Sequence, residues 1–252
     1  MRAEILADLD AESADLDRMV ATADWDLPTP AEGWTIAHQI AHLAWTDAMA
    51  TLAATDPAGF GAALASALDD PAGFVDRGAR ETLAPKPDLL ARWRSGRAAL
   101  ADALRATPPD QKIIWFGPPM SPAMTATGRL METWAHGQDV ADALGVTREP
   151  TSRLRHVAFI GYRTLGNGFL AHGREAPTVP VRVELDGGEW CYGPADARDR
   201  LTGPALDFCL LVTQRRHPDD LALTATGPVA TEWLTVAQAF AGPPGKKREK
   251  AQ

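Results

Sequence analysis

Gly33–Trp45, GWTIAHQIAHLAW, and Met131–Asp139, METWAHGQD, each carry two chemistry-bearing side chains four residues apart: His38 and His42, then Glu132 and His136. Four residues advance an α-helix by about 400°, so each pair leaves one face about 40° apart and can point at one object. Counted at about 100° per residue from Glu132, His136 lies near +40° and Asp139 near −20°. Trp134 and Ala141 face the other way. In the first segment His38, His42, Trp45, Met49 and Leu52 form one seam, and Ile36, Ile40 and Leu43 form a second on the far side. A helix apolar on both sides is a buried helix. A buried imidazole without a partner costs on the order of 1–3 kcal/mol, so these histidines need a hydrogen bond or a metal.

Two histidines and a glutamate are a catalytic zinc arrangement, with a fourth position open to water or substrate. One histidine of the first segment with Glu132 and His136 would supply it. His42 is the better candidate, because His38 stands at the first helical turn, where it could orient a ligand, contact substrate or cap the helix. Asp139, one turn beyond His136, is placed to accept the second ring N–H of a ligand histidine or to line the cavity. The same donors suit Fe, Ni, Co or Mn. The competing reading is a satisfied core histidine and a Glu/His pair on a helix surface. Neither pair is an HExxH motif, which argues against a zinc protease.

At 252 residues and 45% hydrophobic content the chain has material for one large or two ordinary globular domains. A net charge of −8 and a pI near 5.2 argue against a nucleic-acid surface. The basic run Lys246, Lys247, Arg248 and Lys250 follows AGPPG and reads as a solvated tail. The first residues lack an apolar signal region, and no apolar stretch approaches the roughly 20 residues of a membrane span, so a cytoplasmic protein is expected. With Cys191 and Cys209 as the only cysteines, there is no disulfide framework. A thiol needed for chemistry would come from a cofactor.

Helices are expected near residues 2–23, 35–54, 87–106 and 122–144, with one or two short helices in 56–84. Thr35 suits an N-cap and Pro87 a first helical turn. Four long helices imply a bundle, in which metal sites are built from inward-facing side chains of different helices. After residue 150 the pattern changes to a helix at 154–171, strand-like VPVRVELDGG and EWCYGP, the helix ALDFCLLVTQRR, a strand LALTATG and a last helix ATEWLTVAQAF. The expected fold class is thus α+β, with a helical bundle at 1–150, a smaller α+β domain at 151–243 and a basic tail at 244–252.

GWTIAHQIAHL followed by METWAHGQDVADALG resembles the DinB-like metal-binding bundle, and specifically the mycothiol-dependent maleylpyruvate isomerase family of actinobacteria. The resemblance covers nearly the whole chain, because that family carries an α+β C-terminal domain related to sterol carrier proteins, to which LTGPALDFCLLVTQRR and WLTVAQAFAGPPG are similar. The family pattern puts metal ligands at the histidine of an AHL turn and at both ends of an ExxxH turn, which implies His42, Glu132 and His136. It also implies a divalent metal, zinc foremost, with mycothiol as cosubstrate, and a C-terminal-domain arginine matched by Arg215 or Arg216. At a helix end, arginines also serve simply to complement the dipole. Trp45, Met49, Trp134 and Trp233 could wall a substrate pocket or fill the interior.

The reaction so implied starts from a thiol ionised at the metal, which adds to a small electrophile such as an activated alkene. Rotation and expulsion of the thiolate give cis–trans isomerisation; persistence of the adduct makes the enzyme an S-transferase. The rival classes are a thiol-independent metal-dependent hydrolase and a non-catalytic, metal-stabilised carrier of a small ligand.

Overall fold

The apolar periodicity of the first 150 residues folds as helices because caps and prolines stop each run. The computed structural model describes residues 2–71, 73–245 and 248–250. It places α1 at Arg2–Ala21, α2 at Ile36–Thr55, α3 at Pro57–Asp69, α4 at Phe74–Thr82, α5 at Lys86–Ala106 and α6 at Pro122–Leu144. Thr35 is extended at the start of α2, and its N–H donates to His38 Nδ1 at 3.2 Å, so a histidine takes the place of the glutamate in a capping box. Ser121 Oγ accepts the Met124 N–H at 3.3 Å, with Pro122 in the first turn of α6. Gly145, at φ 65°, ends that helix, and the Val146 N–H closes back on the Ala141 carbonyl at 2.9 Å.

The four long helices are those expected, and α3 and α4 are the short ones between them. Helix α2 packs on α4, α5 and α6, and α1 packs on α6. Ile36, Ile40 and Leu43, the far seam of α2, are fully buried with Leu16, Val20, Leu89, Trp93 and Val140. Each such side chain contributes about 1.5–3 kcal/mol on leaving water. Of the near seam, Trp45 faces α4 and His42 faces α6. There Arg129 Nε donates to Asp47 Oδ1 at 2.9 Å and its Nη2 to Thr46 Oγ1 at 2.7 Å, all well buried. Burial raises the pKa of Asp47 although Arg129 pulls against it. Helix α4 lies close on α2 because Gly78 has no side chain; a Cβ there would fall inside the Trp45 indole.

The chain divides into two compact units, Met1–Arg148 and Glu149–Gln252. The second holds α7 (Leu154–Arg163), α8 (Leu165–Ala171), β1 (Val181–Leu185), β2 (Trp190–Tyr192), β3 (Asp199–Gly203), α9 (Ala205–Val212), β4 (Thr224–Thr226) and α10 (Pro228–Val236). The sheet order is β2-β1-β3-β4, with β1 and β3 parallel and the outer pairs antiparallel. Val181, Val183 and Leu185 alternate inward as the pattern of β1 required, joined by Leu201, Phe208 and Trp233. The fold is α+β.

Two expectations for this unit are corrected, and one further strand is present. The helix of 154–171 breaks at Thr164, whose backbone at φ −97° and ψ 10° leaves the helical range, and continues as α8. Helix α9 stops at Val212 rather than 216: Gln214 turns left-handed at φ 58°, and the Arg215 N–H returns to the Leu210 carbonyl at 2.8 Å. Glycine usually marks such a stop, and none stands here. Strand β3 went unrecognised because DRLTG has one fully buried apolar residue, Leu201, and is held by pairing on both edges. In the tail, Lys250 Nζ pairs with Asp219 at 3.1 Å, while Lys246, Lys247, Ala251 and Gln252 lie outside the described residues. No described helix is long and apolar enough to cross a membrane.

Replacing Arg129 with Leu leaves the Asp47 carboxyl buried and unpaired, and a loss of about 3–5 kcal/mol in urea unfolding is expected. Asp47→Leu added to Arg129→Leu is expected to recover most of it. A double variant as unstable as the single one would show that the ion pair is not what the helix contact depends on.

Candidate metal centre

His42 lies in the second turn of α2, and Glu132 and His136 lie one turn apart on α6, where the two helices face each other. Glu132 Oε2 is 3.3 Å from His42 Nε2 and 3.3 Å from His136 Nε2. The three ligand atoms all fall within 4.8 Å of one another, and the imidazole centroids are 4.3 Å apart. Zinc bonds of about 2.0–2.1 Å in a tetrahedron put neighbouring ligand atoms about 3.3–3.4 Å apart, so both observed edges fit.

The protons make the same point. Gln39, fully buried, donates from Nε2 to Thr29 Oγ1 at 2.9 Å, which leaves its Oε1 to accept from His136 Nδ1 at 2.5 Å. The His136 proton is therefore held at Nδ1, and Nε2 turns a lone pair toward Glu132. Two acceptor atoms at that distance require a cation between them, either a proton or a metal. Burial raises the Glu132 pKa, but the His136 and His42 imidazoles beside it outweigh burial and hold the carboxyl well below its usual range. It stays ionised. One metal ion would satisfy both contacts at once, displacing the protons. His42 Nδ1 is buried with no hydrogen-bond partner among the described residues, so Nε2 is the engaged atom of that ring.

Aromatic rings surround the cluster. Trp34 lies 5.5 Å from His42, 6.1 Å from His136 at an interplanar angle of 22°, and 6.2 Å from His38. Its Nε1 donates to Asp76 Oδ1 of α4 at 2.8 Å, and Asp76 Oδ2 accepts Arg80 Nε at 2.7 Å. Trp45, 6.3 Å from His42, continues the wall through Phe74 at 5.2 Å to Phe116. Trp233 packs on Phe208 inside the second unit instead.

The structure thus brings His42, Glu132 and His136 together and sets the other candidates apart. His38 caps α2 and has Nε2 3.5 Å from Arg80 Nη1. Its pKa is lowered by burial and then by Arg80, with Asp76 opposing. Asp139 is buried, with Oδ2 4.0 Å from His136 Nδ1; the role expected of it, accepting that ring N–H, belongs at shorter range to Gln39. Arg215 and Arg216 follow the left-handed turn rather than ending a helix, and donate to the Thr213 and Arg215 carbonyls. Gln39 and Trp34 were both inside the quoted segment and went unassigned. Gln39 stands three residues before His42, near its helical face, and that spacing was the available signal.

Residues 6–141 match the family described as mycothiol maleylpyruvate isomerase N-terminal domain. The chain belongs to this family. Two uncharacterized proteins of Mycobacterium tuberculosis, from strains CDC 1551 and H37Rv, are each 55% identical over 250 residues, which span 96% of this chain and 97% of theirs. The crystal structure of the mycothiol-dependent maleylpyruvate isomerase shares the fold, with a TM-score of 0.61 at 17% identity over 97% of this chain and 96% of that one. A histidine-to-alanine mutant of that enzyme gives a TM-score of 0.60 at 16% identity over the same shares. Residues 179–226, which span β1 to β4, match a second family, described as wyosine base formation.

His42→Ala is expected to abolish metal retention in elemental analysis, and full metal content in that variant would overturn the ligand assignment. Gln39→Ala frees the His136 ring and is expected to weaken metal affinity about 10–100-fold in chelator competition. Unchanged affinity would mean that Gln39 does not orient the ligand.

Proposed function

We propose that this chain is a metal-dependent enzyme that uses a low-molecular-weight thiol, mycothiol, to isomerise or S-conjugate a small electrophile. The observation that carries this reading is the convergence of His42 Nε2, His136 Nε2 and Glu132 Oε2 on one point in a member of this family. A divalent metal bound there, zinc by preference, supplies Lewis acidity that lowers a thiol pKa from about 8.5 and yields the nucleophile at neutral pH.

The chain's own groups prepare that place. Three protein ligands leave room for one exogenous ligand in a tetrahedral site. Gln39 keeps the His136 proton on Nδ1, so Nε2 stays available as a ligand. Trp34 covers both ligand imidazoles and keeps water from their faces. Trp45 and Phe74 offer an apolar wall to a small substrate.

Maleylpyruvate, the substrate in the printed name of the similar crystal structure, is the first electrophile to test. Turnover by the metal-loaded protein is expected with mycothiol and absent without it. Trans product would identify an isomerase and a stable thioether an S-transferase. In His42→Ala the rate is expected to fall by roughly two or more orders of magnitude, in line with the several kcal/mol a Lewis acid contributes. Equal turnover without thiol, with a hydrolysis product, would instead favour the hydrolase reading.

A further inference from the structure

The contact between His38 and Arg80 is a meeting of two donors. His38 Nδ1 accepts the Thr35 N–H, a donor fixed by the backbone, at 3.2 Å, and the Thr35 hydroxyl 3.0 Å away can donate to it as well, so in the neutral ring the proton is on Nε2. That Nε2–H stands 3.5 Å from Arg80 Nη1, which has only hydrogens to offer. Neither can bond the other, and both can bond one oxygen placed between them. Arg80 is exposed, but its guanidinium is oriented at one end. Its Nε is fixed at 2.7 Å by Asp76 Oδ2, and Asp76 is itself fixed through Oδ1 by the Trp34 indole at 2.8 Å. Both carboxylate oxygens are thereby occupied, while the outer guanidinium edge stays half exposed. Trp34 ties this arrangement to the metal ligands, since its ring packs on His38 as well as on His42 and His136.

We propose that His38 and Arg80 form a carboxylate-binding pocket beside the metal ligands, with an acid oxygen bridging His38 Nε2–H and Arg80 Nη1–H. The ligand is the electrophile itself, a small unsaturated acid, an assignment that rests on the thiol-dependent reading. The first unit would then carry its own anion contact, independent of Arg215 and Arg216.

Calorimetric titration of maleate into the full-length, zinc-loaded chain tests this without thiol or turnover. Arg80→Gln is expected to raise the maleate Kd about tenfold or more, because a charge-assisted hydrogen bond is lost. Arg77→Gln removes the same charge from α4 at a residue paired with Asp70, and is expected to leave Kd unchanged. Metal content should be equal in all three proteins. The uncharged diamide of maleic acid is expected to bind the parent and Arg80→Gln alike. The pocket is refuted by equal maleate affinity in Arg80→Gln, by equal weakening in Arg77→Gln, or by no maleate binding to the parent. Such failure leaves thiol-dependent turnover standing. Conversely, a chain that holds maleate through Arg80 yet converts nothing with mycothiol keeps the pocket and loses that function.

Discussion

Three electron-pair donors crowded into the contact between α2 and α6 constitute the constraint around which the first unit is organised. Glu132 Oε2 faces two imidazole nitrogens at 3.3 Å, and the cluster lies where water cannot screen it well. Such a group is stable only with positive charge at its centre. Its neighbours hold that geometry in place rather than relieve it. Arg129 and Asp47 tie the same two helices together, with Arg129 one turn before Glu132. Gln39 turns the His136 ring to one orientation. On the far side of α2, Ile36, Ile40 and Leu43 are sealed into the apolar core.

The same logic of donors and acceptors runs through the adjoining surface with its sign reversed. Acceptors meet at Glu132 and call for a cation; donors meet at His38 and Arg80 and call for an anion. Trp34 borders both, packing on His38, His42 and His136, and α4 supplies Asp76 and Arg80. Helix α4 approaches close enough to do so because Gly78 offers no side chain to Trp45. A short helix that contributes little to the core thus shapes the wall of the site.

Much of this was legible before any coordinates. Spacing of four residues put His38 with His42 and Glu132 with His136, and the two apolar seams of α2 marked it as buried on both sides. The four bundle helices, the alternation of VRVEL and the α+β class follow from periodicity and turn chemistry. The resemblance to a metal-binding family selected His42, Glu132 and His136 from the candidates, which spacing alone left open. The errors have local causes. QRR carries no glycine to announce the end of α9, so Arg215 and Arg216 were read as helical. Thr164 interrupts a helix through its backbone angles, which no proline or glycine announces at that position. DRLTG becomes β3 through its neighbours and not through its own pattern.

The sequence by itself determined which side chains share a helical face, because the helix period ties residues three and four apart regardless of what surrounds them. It could not say which face meets which, and that is where the chemistry resides. Only the packing of α2 on α6 brings His42 to Glu132, ninety residues away, and gives the His136 ring proton to Gln39 instead of the nearer-numbered Asp139. Only the packing of α4 on α2 sets Arg80 against His38. Contacts across such separations depend on the rotation and depth at which helices cross, quantities set by the whole core and not by local spacing.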